Sequence, residues 1–167
     1  QLGCLCNEIR HGFSLLSLSE TRSRPDMHAD AVKQLTQSIH VASAINQQQK
    51  LTPAAMAFCN EIASQWHCER VSLGFLSGQY VQVKAMNHTE EFYRKMGLVR
   101  DIEAAMEECL DQDAEIIVPP PNDATYIYRA AQNLSDRGNR RTVLSFPLRR
   151  NDTVIAVLDR KSTRLNS

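Results

Sequence analysis

Three internal cysteines, Cys59, Cys68 and Cys109, and the pair Cys4–x–Cys6 are the residues best equipped for covalent or metal chemistry. A nucleophilic or redox thiol needs an exposed, electropositive setting that favours thiolate. Cys59 and Cys109 instead fall on the apolar faces of helical patterns. Cys68 ends a helix, where the dipole disfavours an anion. These positions read as small core hydrophobes, so no catalytic residue is assigned. Five cysteines without a disulfide spacing indicate reduced thiols. Cys4–x–Cys6 supplies half of a zinc site, but no second Cys or His pair stands at the spacing the other half needs. The neighbours His67 and Cys68 would need further ligands from elsewhere, and His67 is better placed to complement a helix C-terminus. Neither a metal nor a cofactor is expected.

The charges exclude a second group of functions. Lys plus Arg and Asp plus Glu are each 19, so no net field draws the chain to nucleic acid or to an anionic membrane. Arg140–Arg141 and Arg149–Arg150 lack the interleaved aromatics of a nucleic-acid face and read as solvated hairpin ends. Asp101, Glu103, Glu107 and Glu108 lie largely off an apolar helical stripe and read as a solvated face, not a metal site. No run approaches the roughly 20 apolar residues of a membrane span, and no secretory signal is visible.

The elements that position these residues follow from periodicity. Val32, Leu35, Ile39 and Ala42 recur at helical spacing as a narrow stripe, giving a connecting helix over 27–50. Residues 1–26 are unassigned and read as the tail of a preceding segment. Thr52–Pro53 restarts a helix, with Thr52 as cap and Pro53 at the first position; Ala55, Cys59, Ile62 and Trp66 line its face. Val71, Leu73 and Phe75 alternate with Ser72 and Gly74, turn through Ser77–Gly78–Gln79, and return with Val81, Val83 and Ala85. Leu98, Ile102, Ala105, Met106 and Cys109 form the next helical face. Glu115–Val118 is a short strand ahead of three prolines, and Asn122 or Asp123 caps a helix carrying Ile127, Ala131 and Leu134. Thr142–Leu148 and Thr153–Leu158 make a second hairpin, in which Pro147 must sit at an edge, bulge or strand end. The class is α+β.

This order, helix, hairpin, helix, short strand, helix, hairpin, resembles a GAF domain over 51–158. The most specific pieces are Cys68–Glu–Arg–Val–Ser–Leu–Gly–Phe75, Leu98–Asp113 and Ser145–Phe–Pro–Leu148. They look like the GAF region found ahead of the membrane anchor in bacterial haemolysin-D-like membrane-fusion proteins, the periplasmic adaptors of secretion and efflux systems. The resemblance implies an antiparallel sheet flanked by helices, and a non-catalytic sensor or assembly module on the cytoplasmic side of the inner membrane. It also implies a homo-oligomer, with secretion or efflux partners in the full-length protein. A GAF pocket opens near the end of the second strand. His88, Phe92, Met96 and Tyr126 are therefore candidate ligand-binding residues for an unidentified small molecule, against the alternative that Phe92 and Met96 simply pack on the sheet. A ligand-free dimerisation module, the sensory GAF of a histidine kinase or cyclic-dinucleotide enzyme, and a thiol enzyme of the free methionine sulfoxide reductase type are the other readings.

Residues 159–167 match the translation of a common short-read sequencing adapter. The native sequence is accordingly expected to end near Leu158, with the last strand cut and the C-terminal GAF helix missing.

Overall fold

A computed structural model describes residues 36, 39–40, 50–88, 96–137, 139, 141–150 and 152–162. Of the expected connecting helix, Thr36, Ile39, His40 and Lys50 are described; the first three are helical, and Lys50 is extended. The described elements are α1 (Leu51–Gln65), β1 (Cys68–Ser77), β2 (Tyr80–Met86), α2 (Met96–Gln112), β3 (Ile116–Val118), α3 (Arg129–Arg137), β4 (Thr142–Arg150) and β5 (Thr153–Ser162). The strands form one antiparallel sheet in the order β2-β1-β5-β4-β3, and the class is α+β as the periodicity requires.

Each face of this sheet carries its own core. Ala54, Ala55, Phe58, Cys59, Ile62 and Ala63 of α1 pack on Val71, Leu73, Phe146 and Leu158. On the opposite face Ile102, Ala105, Met106 and Cys109 of α2, with Ala131 and Leu134 of α3, pack on Val81, Val143 and Val157. A sheet covered on both sides cannot show the simple dry–wet alternation expected of β1. Ser72 and Gly74 are as buried as their apolar neighbours; they face α2, and their small size lets that helix approach.

The β2 alternation is broken for a related reason. Leu73 pairs with Ala85 but Gly74 pairs with Val83, which leaves Lys84 as an extra residue. A one-residue bulge moves the following side chains to the other face. Val81 and Val83 thus point to the α2 side, whereas Ala85 joins the α1 core.

The two hairpins have two-residue connections where expected, the first opening on Gly78 at φ +68°. Pro147 lies beyond the reach of β3, which pairs β4 only over Val143–Ser145, so its missing N–H breaks no central ladder. A further bulge follows at Leu148/Arg149.

Helix starts depart from the sequence reading. The N-cap of α1 is Lys50, without a side-chain bond, and Ala54 N–H donates to its carbonyl at 3.1 Å. Pro53 is tolerated because it still lies among the first-turn positions whose N–H has no helical acceptor. Residues Asn122–Tyr128 are not helical, and Ile127 is 67% exposed. The first α3 bond runs from Gln132 N–H to Tyr128 O at 2.8 Å, and the cap comes from another helix. Glu108 of α2 accepts from Ala130 N–H and Ala131 N–H, each at 3.0 Å. A carboxylate there meets both the orphan donors and the positive end of the helix dipole.

Candidate functional site

The acidic residues of α2 do not form a solvated face. Besides Glu108 on α3, Glu103 accepts from Val83 N–H at 3.0 Å and Glu107 from Val81 N–H at 3.2 Å. Gln112 clamps Ile127 from both sides, donating to its carbonyl at 2.8 Å and accepting its N–H at 2.6 Å. Asp101 pairs with Arg137. Charge that is off the apolar stripe is thus spent on backbone donors and on α3, a use that periodicity does not reveal. Among the described residues no group of three His, Cys, Asp or Glu side chains is arranged to hold a metal ion.

The four residues singled out from the sequence are not all brought together. His88 follows β2 in the left-handed region, φ +53°, is exposed, and donates its N–H to Asn60 Oδ1 of α1 at 3.1 Å. Tyr126 lies at the other edge of the sheet. Its hydroxyl bonds to Ile117 N–H at 3.2 Å and donates to Ile117 O at 3.1 Å, and its ring meets Tyr128 edge-on. Burial is the main cause that pushes the Tyr126 phenol up from its ordinary value, so it stays protonated and can donate. Four strand spacings, about 19 Å, separate the two edges. Met96 is the first residue of α2, and Phe92 lies outside the described residues.

A different set of polar residues converges in the sheet. Ser72, Asp159 and Ser145 stand side by side across β1, β5 and β4, and all three are fully buried on the α2 face. Arg70, two residues before Ser72 on the same strand, reaches Asp159 Oδ1 with its Nη2 at 2.6 Å. Ser145 Oγ lies 3.4 Å from Asp159 Oδ2. Next to this row Asn87 extends the β1–β2 ladder: its Oδ1 accepts from Val71 N–H at 2.8 Å, and its N–H donates to Val71 O at 3.0 Å. Arg70 Nε and Ser72 Oγ are buried and make no hydrogen bond among the described residues. Sequence reasoning passed over this row because a serine or an arginine inside an apolar run is ambiguous until the register aligns it with its neighbours. β5 also runs four residues past Leu158, where the apolar pattern predicts its end.

The thiols are placed against chemistry. Cys59, Cys68 and Cys109 are free and buried. Burial raises the Cys59 thiol far above its ordinary value and raises that of Cys68 despite the opposing charge of Arg160. Cys109 is pushed up to about 12, by burial first and then by the charge of Glu115, while its thiol donates to Ala114 O at 3.1 Å. None is a thiolate at neutral pH. A disulfide reagent at pH 8 is expected to leave all three unmodified in the native chain and to label all three in denaturant.

The same shift has a linkage consequence. A thiol whose folded value lies above its unfolded one supports the fold fully below about pH 9 and loses that support as pH rises. For Cys109 the loss runs from about pH 9 up to about pH 12. Urea titrations at pH 8 and pH 10 should show the fall, and Cys109→Ala should reduce it, leaving the share carried by Cys59 and Cys68.

No family model and no curated protein matches the sequence, but solved structures do. The GAF domain of Acinetobacter phosphoenolpyruvate-protein phosphotransferase aligns with TM-score 0.56 and 12% identity, over 80% of this chain and 78% of that one. The A. aeolicus nlh2 GAF domain in an inactive state aligns with TM-score 0.59 and 9% identity, over 81% and 83%. The GAF domain of a Coxiella burnetii phosphoenolpyruvate-protein phosphotransferase aligns with TM-score 0.54 and 13% identity, over 77% and 76%. At such identities the likeness concerns the path of the backbone. With its five antiparallel strands in the order β2-β1-β5-β4-β3, α1 on one face and α2 and α3 on the other, the chain has the fold of a GAF domain.

Proposed function

We propose that this chain is a regulatory GAF module that binds a small, hydrogen-bond-accepting or anionic molecule on the α2 face of its sheet. The observation that carries the reading is the pair of buried donors, Arg70 Nε and Ser72 Oγ, that lack an acceptor. Leaving such groups unmatched costs about 1–3 kcal/mol each, so a ligand acceptor that reached either of them would be held strongly. The buried, protonated thiols support a non-catalytic role. Regulation then requires the ligand to favour one arrangement of α2 and its neighbours over another.

The wider setting rests on the resemblance of Cys68–Phe75, Leu98–Asp113 and Ser145–Leu148 to the GAF region of haemolysin-D-like adaptors. In that setting the module would face the cytoplasm from an inner-membrane protein of a secretion or efflux system, acting as a homo-oligomer. Among the described residues no helix is long and apolar enough to cross a membrane, so an anchor would have to come from sequence outside them. The intact reading frame tests this directly. A membrane span and a lipoyl-like adaptor region downstream would support the setting, and a kinase or other output domain would replace it.

The ligand reading is tested by thermal-shift measurements against nucleotides, cyclic nucleotides, amino acids and small organic acids. One anionic class is expected to raise the melting temperature of the chain and to fail with Ser72→Ala. Absence of any shift, with Ser72→Ala as stable as the parent, would favour a ligand-free assembly module. The close packing of Met106 on Gly74 is the observation on that side.

A further inference from the structure

The outer edge of β2 is covered in an unusual way. Among the described residues β2 is an edge strand with only β1 beside it, and an unpaired strand edge is a template for pairing with another chain. The N–H groups of Val81 and Val83 point away from β1, and each is taken by a carboxylate of α2: Val81 by Glu107 and Val83 by Glu103.

The spacings match. Two residues along a strand advance about 6.6–6.8 Å, and four along a helix about 6 Å. An i, i+4 pair of glutamates on a helix lying along the strand can therefore meet successive outward donors. Other features blunt the same edge: the bulge at Lys84 and the exposed Lys84 itself. At the far edge β3 is only three residues long, and the Tyr126 hydroxyl occupies both polar groups of Ile117.

From this geometry we infer that Glu103 and Glu107 are a guard that keeps β2 from pairing with β2 of a second copy of this chain. The outward groups at 81 and 83 are symmetric about Gln82. Two β2 strands related by a two-fold axis at Gln82 would exchange the Val81 and Val83 bonds. They would bring the two Gln82 side chains together in a non-hydrogen-bonded pair, with Cα atoms about 4.5 Å apart. The carboxylates occupy the donors that such a dimer needs, and their negative charges repel the incoming carbonyls. Any movement of α2 away from β2 would remove both obstacles at once, so the guard links the position of α2 to self-association.

The test uses the full chain carrying Gln82→Cys, with and without Glu103→Ala/Glu107→Ala. The unguarded protein is expected to form a Gln82→Cys-dependent disulfide dimer under mild oxidation, at least 10-fold faster than the guarded one. The amides of Val81 and Val83 should also exchange with solvent at least 10-fold faster when the protein is dilute. Glu103→Gln/Glu107→Gln, which keeps the acceptor oxygens but not the charge, should keep both amides protected and cross-link more slowly than the double alanine variant. If the double alanine variant fails to fold, the single variants Glu103→Ala and Glu107→Ala replace it, each expected to free its own amide and to cross-link at an intermediate rate. Unchanged amide exchange would overturn the inference, because the carboxylates would not be holding the edge. Faster exchange with no gain in cross-linking would overturn it equally, since a freed edge that does not pair needs no guard.

Discussion

Asp159→Ala is expected to lower the unfolding free energy by about 3–5 kcal/mol, the usual cost of leaving one member of a buried ion pair without its partner. The side chains of Arg70 and Asp159 are 9% and 0% exposed, and they meet at 2.6 Å. Removing the carboxylate leaves a guanidinium buried beside Ser72 and Ser145, neither of which can balance its charge. A loss of this size is a large part of the ~5–15 kcal/mol that holds a typical domain folded. Urea unfolding of the parent and variant, with the slope checked for constancy, measures it. The double variant Arg70→Met/Asp159→Leu should recover most of the loss, because apolar groups of similar volume often replace a buried pair at little cost. A single variant as stable as the parent would mean that Arg70 finds solvent or another acceptor.

This prediction bears on the nine-residue tail. A chain ending at Leu158 loses Asp159 and also the part of β5 that pairs with Cys68–Ser72 on one side and Thr142–Ser145 on the other. It should be less stable than Asp159→Ala. Urea unfolding of a chain truncated after Leu158, beside Asp159→Ala, measures the difference.

Gly74→Val is the second large effect expected. A Cβ at this position would stand 2.5 Å from Val81 Cγ1 and 2.6 Å from Met106 Sδ. The methionine is flexible and can swing away, but Val81 is β-branched, stiff at χ1 and fully buried. Overpacking of this kind costs about 1–3 kcal/mol even for a modest addition. Valine, with two further methyl groups, should reach or pass the upper end, with Gly74→Ala nearer the lower. A double-mutant cycle separates the two contacts. Gly74→Ala with Val81→Ala should be less damaging than the sum of the singles by at least about 0.5 kcal/mol. Strict additivity would show that α2 lifts from the sheet as a whole instead of pressing on this one point.

Much of the architecture was legible in the chain. Apolar residues recurring at helical spacing from Leu98 to Cys109 could bury only one stripe, and that stripe is the one in the core. Gly78 and Asp152 marked turns, and both take a positive φ that few residues tolerate. Pro147 announced a place without a second neighbour strand. Errors arose where the deciding partner lies far along the chain. Asn122 and Asp123 are sound local caps, yet α3 begins later, on a carboxylate supplied by Glu108, and no local signal carries that information. Val81, Val83 and Ala85 look like one face until the bulge at Lys84 sends Ala85 to the other.

The candidate site divides in the same way. His88 and Tyr126 were chosen for their chemistry and their nearness to strand ends, and strand order alone puts them at opposite edges. Ser72, Ser145 and Arg70 drew no notice as single residues, because a polar residue within an apolar run has no meaning until its cross-strand neighbours are known. Local sequence determined which segments become helices and strands, since periodicity, turn residues and proline act over a few residues. Tertiary structure alone decided the strand order, the register that lines up Ser72 with Ser145, and the use of α2 carboxylates on β2 and α3. Those features depend on contacts between residues tens of positions apart, where each backbone donor takes the nearest acceptor that packing brings to it.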